Sequence, residues 1–115
     1  MFGSRQPIQN ADADESVEAI VNHVIDDINA EHDGAPFVLI RIVQAKRQLV
    51  AGLLYEVTFS VGEADCTSDM DAALVRREQC KPLPNGHKRT YRASVLHAPW
   101  KDTPMNIISK TVVNN

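Results

Sequence analysis

Apolar residues recur along this chain in two rhythms, and each predicts a different kind of element. From Asp14 to Ala30, Val17, Ile20, Val21, Val24, Ile25 and Ile28 return every three to four positions, which is one face of an α-helix. The spacing predicts a helix over 14–30, acidic outside and β-branched inside. An Asp12–Glu15 capping box would open it, and Glu31-His32-Asp33-Gly34-Ala35-Pro36 would end it. From Phe37 to Val43 the chain is dense in β-branched and aromatic residues. Leu53, Tyr55, Val57, Phe59 and Val61 then alternate with Leu54, Glu56, Thr58 and Ser60, the two-residue period of a half-buried antiparallel strand. Tyr91, Ala93 and Val95 share a face within 88–97, and 105–113 supplies one strand more. Residues 1–11 show no period, and Gly3 and Pro7 favour an extended arm able to join the sheet as an edge strand. The order β-α-β-β-β-β predicts an α+β fold, a four- to five-stranded antiparallel sheet packed on one long N-terminal helix.

The reversals depart from this pattern. Gln48-Leu49-Val50-Ala51-Gly52 joins two strands, and Gly52 stands where a turn needs positive φ, yet the tip carries bulky Leu49 and Val50 in place of polar turn residues. Such side chains either fold back or wait for a partner. Ala98-Pro99-Trp100-Lys101-Asp102 interrupts the later strands and holds the single tryptophan, either a lid on the core or an interface anchor. In a meander both tips project from the same edge of the sheet, and the arm before the helix can reach it. Phe2, Leu49, Val50 and Trp100 would then line one rim.

Size and charge narrow the field. A chain of 115 residues makes one domain, 1–115, with one modest core. Its segments are the arm over 1–11, the helix over 14–30, a first hairpin over 37–62, an excursion over 63–87 and a second hairpin over 88–113. The net charge of -3 gives no reason to expect nucleic acid or an anionic membrane as partner. It is unevenly spread. Residues 1–35 hold eight acids against Arg5, whereas Arg76, Arg77, Lys81, Lys88, Arg89 and Arg92 surround only Glu78, a distribution that fits solvated faces. No apolar run approaches the ~18 residues of a membrane span, and no export signal follows Met1, so the chain reads as cytosolic or as a mature exported form. Cys66 and Cys80 leave the compartment open when taken alone, as two buried thiols or one disulfide. His87 and His97 with these cysteines lack the short paired spacings of a metal site, and no histidine has a recognisable orienting partner for a Cys-His nucleophile. No cofactor, metal or catalytic residue is expected.

Together these residues resemble the cystatins, reversible protein inhibitors of papain-like cysteine proteases. Gln48-Leu49-Val50-Ala51-Gly52 is similar to their Q-x-V-x-G first hairpin, Pro99-Trp100 to their second hairpin, and Gly3 with Pro7-Ile8 to their N-terminal glycine and trunk. The resemblance covers nearly the whole chain, including element order. It implies the cystatin fold, a sheet wrapped around the helix. Lys46-Arg47 and the cysteine pair resemble the secreted branch, which implies a Cys66–Cys80 disulfide and a mature secreted protein. Tyr91 and the tail Asn114-Asn115 lack that branch's second disulfide, which implies a looser tail. Glu31-His32-Asp33 lacks the asparagine that some members use against legumain-type proteases, so that activity is not expected; Asn29 aligns with the helix end.

The implied mechanism is a non-covalent wedge. Gln48, Leu49, Val50, Ala51 and Gly52 with Pro99 and Trp100 fill the active-site cleft of a cathepsin L-, B- or S-like protease, while Gly3 lets the arm bend and Phe2 enters an apolar subsite. Trp100 and Val50 are the expected hot spots. The resemblance also implies a monomer whose first hairpin, strained at Val50, can straighten and exchange arm and helix between two chains. The competing reading is a cystatin-like binding or regulatory module without inhibitory activity.

Overall fold

The computed structural model describes residues 4–31, 35–66 and 80–114. Strand β1 covers Gln6–Pro7, a 3₁₀ turn follows at Ala11–Ala13, and helix α1 covers Glu15–Glu31. Strands β2 (Phe37–Val50), β3 (Gly52–Glu63), β4 (Lys88–His97) and β5 (Met105–Asn114) complete one antiparallel sheet in the order β1-β2-β3-β4-β5. Its inner face packs on α1. All six apolar residues of the helical stripe are buried, and they meet Phe37, Ile42, Ala45, Tyr55, Val57, Phe59, Val61, Tyr91, Ala93 and Val95. The alternation of β3 is therefore read out directly, since every second residue from Tyr55 to Val61 points inwards.

The helix starts differently from the expected capping box. Asp14 is the cap: its Oδ1 accepts the Val17 amide at 3.1 Å, and the helix runs one residue later at each end than 14–30. Asp12 instead accepts the Ile42 amide at 2.6 Å, tying the 3₁₀ turn to β2 between two bulges. Two acids within three residues both suit a cap; the long-range bond to Ile42, invisible in the sequence, decides which one serves. At the other end the last turn carries no base and ends on Glu31, with Asp27 one turn earlier, so an acid stands unfavourably beside the helix carbonyls. Lys110 on β5 supplies the missing cation, with Nζ bonded to Asp27 and at 2.9 Å to Glu31. Burial alone would lower the Lys110 pKa, but the two carboxylates outweigh it and hold the ammonium above its ordinary value.

Asn29 aligns with the helix end, as expected, and serves the fold there. Its amide donates to the Phe37 carbonyl at 3.0 Å and accepts the Phe37 amide at 2.8 Å, fixing where β2 begins. Cys66 and Cys80 are bonded, with Cα atoms 5.8 Å apart. The base of the 63–87 excursion is also held by Asp65 N–H to Lys81 O at 2.8 Å and Leu83 N–H to Glu63 O at 2.8 Å. The expected looser tail is nevertheless paired, since the β4–β5 ladder continues to Thr90↔Asn114. Buried Tyr91 stacks on Phe59 at 5.9 Å, so an aromatic pair occupies the inner face beside this ladder.

Candidate functional site

The first reversal is tighter than a five-residue tip. Strands β2 and β3 stay paired through Gln48↔Leu54, Leu49↔Leu53 and Val50↔Gly52, leaving Ala51 alone to turn the chain. Gly52 adopts φ +121°, a region that penalises any Cβ. A Cβ there would also stand 2.8 Å from the His97 carbonyl oxygen and 3.3 Å from the Ala98 Cβ. The glycine is needed twice, for the turn and for the close approach of the neighbouring reversal. Val50 shows no left-handed strain. Among the described residues Asn10 is the one non-glycine with positive φ, so the positive φ of the turn falls on Gly52, which adopts it without the strain expected at Val50.

The second reversal begins where β4 ends. Leu53 pairs with His97, which places the end of β4 beside the first tip. Buried Ala98 anchors the loop, donating its amide to Pro104 O at 2.8 Å and accepting the Lys101 amide at 3.0 Å. Beyond this anchor Pro99 is exposed, and the Trp100 side chain stands out at 69% exposure. An open cavity of about 580 Å³ lies beside the indole, bounded by Leu96, Lys101, Asp102 and Asn106.

Both reversals therefore lie side by side at one end of the sheet. Leu49 is 56% exposed, Ala51 is exposed and Val50 is half-buried, so the tip has not folded back onto the core. The arm heads the same way. Gln6↔Arg47 and Pro7↔Lys46 run it antiparallel to β2, so that its N-terminal direction leads to the tip. Phe2 and Gly3 lie outside the described residues. The half-buried Gln48 side chain does not project at the tip with Leu49; its Oε1 accepts Arg5 Nε at 3.5 Å. Arg5 also meets Glu56 at 2.8 Å. Neither Arg5 nor Glu56 was marked by the sequence pattern. The one available signal was that Glu56 is the sole acid between Leu53 and Val61.

Cys66 and Cys80 pair with each other at the far end of the sheet. With Asp65 they form the one metal-capable grouping among the described residues, but the disulfide takes both sulfurs and removes the thiol that either the nucleophile or the zinc reading would use. No helix among the described residues is long and apolar enough to cross a membrane.

Comparison with known proteins agrees with this geometry. The structure superposes on dimeric human cystatin F with a TM-score of 0.82 at 19% identity, covering all of this chain and 90% of that one. It also matches a salivary cystatin from the soft tick Ornithodoros moubata, with a TM-score of 0.73 at 18% identity over 96% of each chain. At such identities these likenesses establish the fold. In sequence the chain is 31% identical over 99 residues to cystatin cpi-1 of Caenorhabditis elegans, covering 83% of this chain and 70% of that protein. It is 32% identical over 97 residues to kininogen-1 of Bos taurus, covering 84% of this chain but spanning only 15% of that relative's length. The family model for the cystatin domain matches residues 3–100, and the chain belongs to the cystatin family.

Proposed function

We propose that the protein is a reversible, competitive inhibitor of papain-like cysteine proteases of the cathepsin L, B and S type. One observation carries the reading: two adjacent reversals at one end of the sheet hold Leu49 and Trp100 in solvent on well-anchored backbone. A large apolar side chain in water is an unpaired opportunity for burial. Transferring Trp100 and Leu49 into a cleft would gain roughly 25 cal/mol per Å² of apolar area removed from water. Because the strands are paired to the tip, little ordering entropy opposes that gain.

The contact would be non-covalent. Leu49, Val50, Ala51 and Gly52 enter the cleft as one edge, Pro99-Trp100 as the second, and the arm with Phe2 and Gly3 as the third. Three small patches of this kind make an interface of about 800 Å² per side, in which hot spots rather than area set the affinity. The disulfide suits an oxidising compartment, so a secreted protein acting as a monomer fits the reading. A dimer formed by straightening the first hairpin would use up the tip, and separated dimer fractions should not inhibit.

The experiment is active-site titration of papain and of a cathepsin panel. Competitive inhibition with one-to-one equivalence is expected. Folded protein that leaves every such protease uninhibited would instead support a cystatin-like binding module.

A further inference from the structure

We propose that Arg5, Gln48 and Glu56 form a clamp across three strands that orders the arm before any protease arrives, making Arg5 and Glu56 positioning residues of the inhibitor. The proposal rests on the inhibitory reading above and adds how the arm is held. Strand β1 pairs through only Gln6 and Pro7, with one further backbone bond from the Ile8 amide to Ala45 O at 2.9 Å. Such a short pairing is a weak hold on a chain end, which frays unless tied down. Pro7 shortens it further, since it lacks an amide for the ladder.

Arg5 compensates from the outer face of the sheet. Its guanidinium passes over β2 and reaches Glu56 on β3, with Nη1 2.8 Å from Oε2, while Nε lies 3.5 Å from Gln48 Oε1. The longer contact is the weaker one, and the ion pair dominates. Glu56 lies between the buried Tyr55 and Val57, so its carboxylate must project from the outer face, towards the arm. The arm is thereby fastened to a central strand of the sheet as well as to its neighbour. A guanidinium suits the task because its planar fork can engage a carboxylate and an amide oxygen together. Gln48 consequently has a role inside the molecule, as an acceptor for the arm.

An exposed ion pair contributes little to global stability but can set the population of an ordered terminus. The experiment has two arms. In the free protein, ¹⁵N relaxation of Ser4, Gln6 and Ile8 is compared between wild type, Arg5→Ala, Glu56→Gln and the reversed pair Arg5→Glu/Glu56→Arg. The inhibition constant for papain is measured for the same set, in the full chain and in a chain lacking residues 1–3.

The clamp predicts sheet-like order in wild type, loss of order in each single variant and recovery in the reversed pair. It also predicts about threefold weaker inhibition by either single variant, an effect that disappears once residues 1–3 are removed. Unchanged relaxation in Arg5→Ala would overturn the clamp whatever the inhibition data show. Equal weakening with and without residues 1–3 would overturn it too, because Arg5 would then be touching the enzyme directly. If wild type fails to inhibit while relaxation follows the clamp, the inhibitory reading fails and the ordering stands.

Discussion

The two reversals present apolar side chains to water by different means. The first is a ladder carried to its limit: β2 and β3 remain paired up to Val50↔Gly52, and one residue turns the chain. The second is a loop over 98–104, whose rigidity comes from buried Ala98 and two backbone bonds. One depends on a glycine that accepts φ +121°, the other on a small residue that fits beneath it. They meet at that glycine, since a Cβ on Gly52 would crowd the His97 carbonyl oxygen and the Ala98 methyl group. The lesson is that the tips behave as a single surface. A change at the shared contact should disturb both, whereas a change at either outer side chain should subtract only that side chain.

The largest expected effect breaks the shared contact. Gly52→Ala forces a Cβ against a backbone oxygen in a conformation that L-residues avoid, and should cost about 2 kcal/mol of stability. Urea denaturation measures this, and inhibition by the folded fraction should fall as well. Asn29→Ala is the contrasting control at the far end of β2. Losing both bonds to Phe37 should cost about 1–2 kcal/mol in the same denaturation experiment, while the inhibition constant stays unchanged. Val50→Ala inverts that outcome. It should weaken papain inhibition by about 1 kcal/mol, roughly fivefold, with stability altered by less than about 0.5 kcal/mol.

The smallest effect lies away from the rim, at Lys110. Its folded pKa is raised, so the stabilisation from Asp27 and Glu31 is complete below the ordinary lysine value of 10.5 and is lost as pH climbs through the higher folded value. Both carboxylates are well exposed, which keeps the contribution at ~0.5 kcal/mol. Urea midpoints followed upwards through pH 10.5 should decline more steeply for wild type than for Lys110→Met.

The helical stripe and the β3 alternation were legible in the sequence because each buried face repeats with its element's own period. The six stripe residues from Val17 to Ile28, and Tyr55 to Val61, point where the pattern requires. Gly52 was legible for a different local reason, since a reversal between two strand patterns needs a residue that accepts positive φ. What the sequence could not show were contacts between segments far apart in the chain. Asp12 and Asp14 are equivalent caps until Ile42 takes one of them, and Arg5 and Glu56 lie 51 residues apart with no pattern joining them. Bulges had the same effect. β2 shifts register near Leu39 and Ile42, which leaves Ile40 and Val43 exposed within a run that is apolar on both faces apart from Arg41. The short tip was missed because Gln48 to Gly52 looks like loop, while the ladder runs through it.

The central claim is that the exposed indole is an anchor for a protease cleft, and Trp100→Ala tests it most directly. The account predicts that the inhibition constant for papain rises about thirtyfold, or about 2 kcal/mol, with the urea midpoint unchanged. An inhibition constant equal to that of wild type would contradict it.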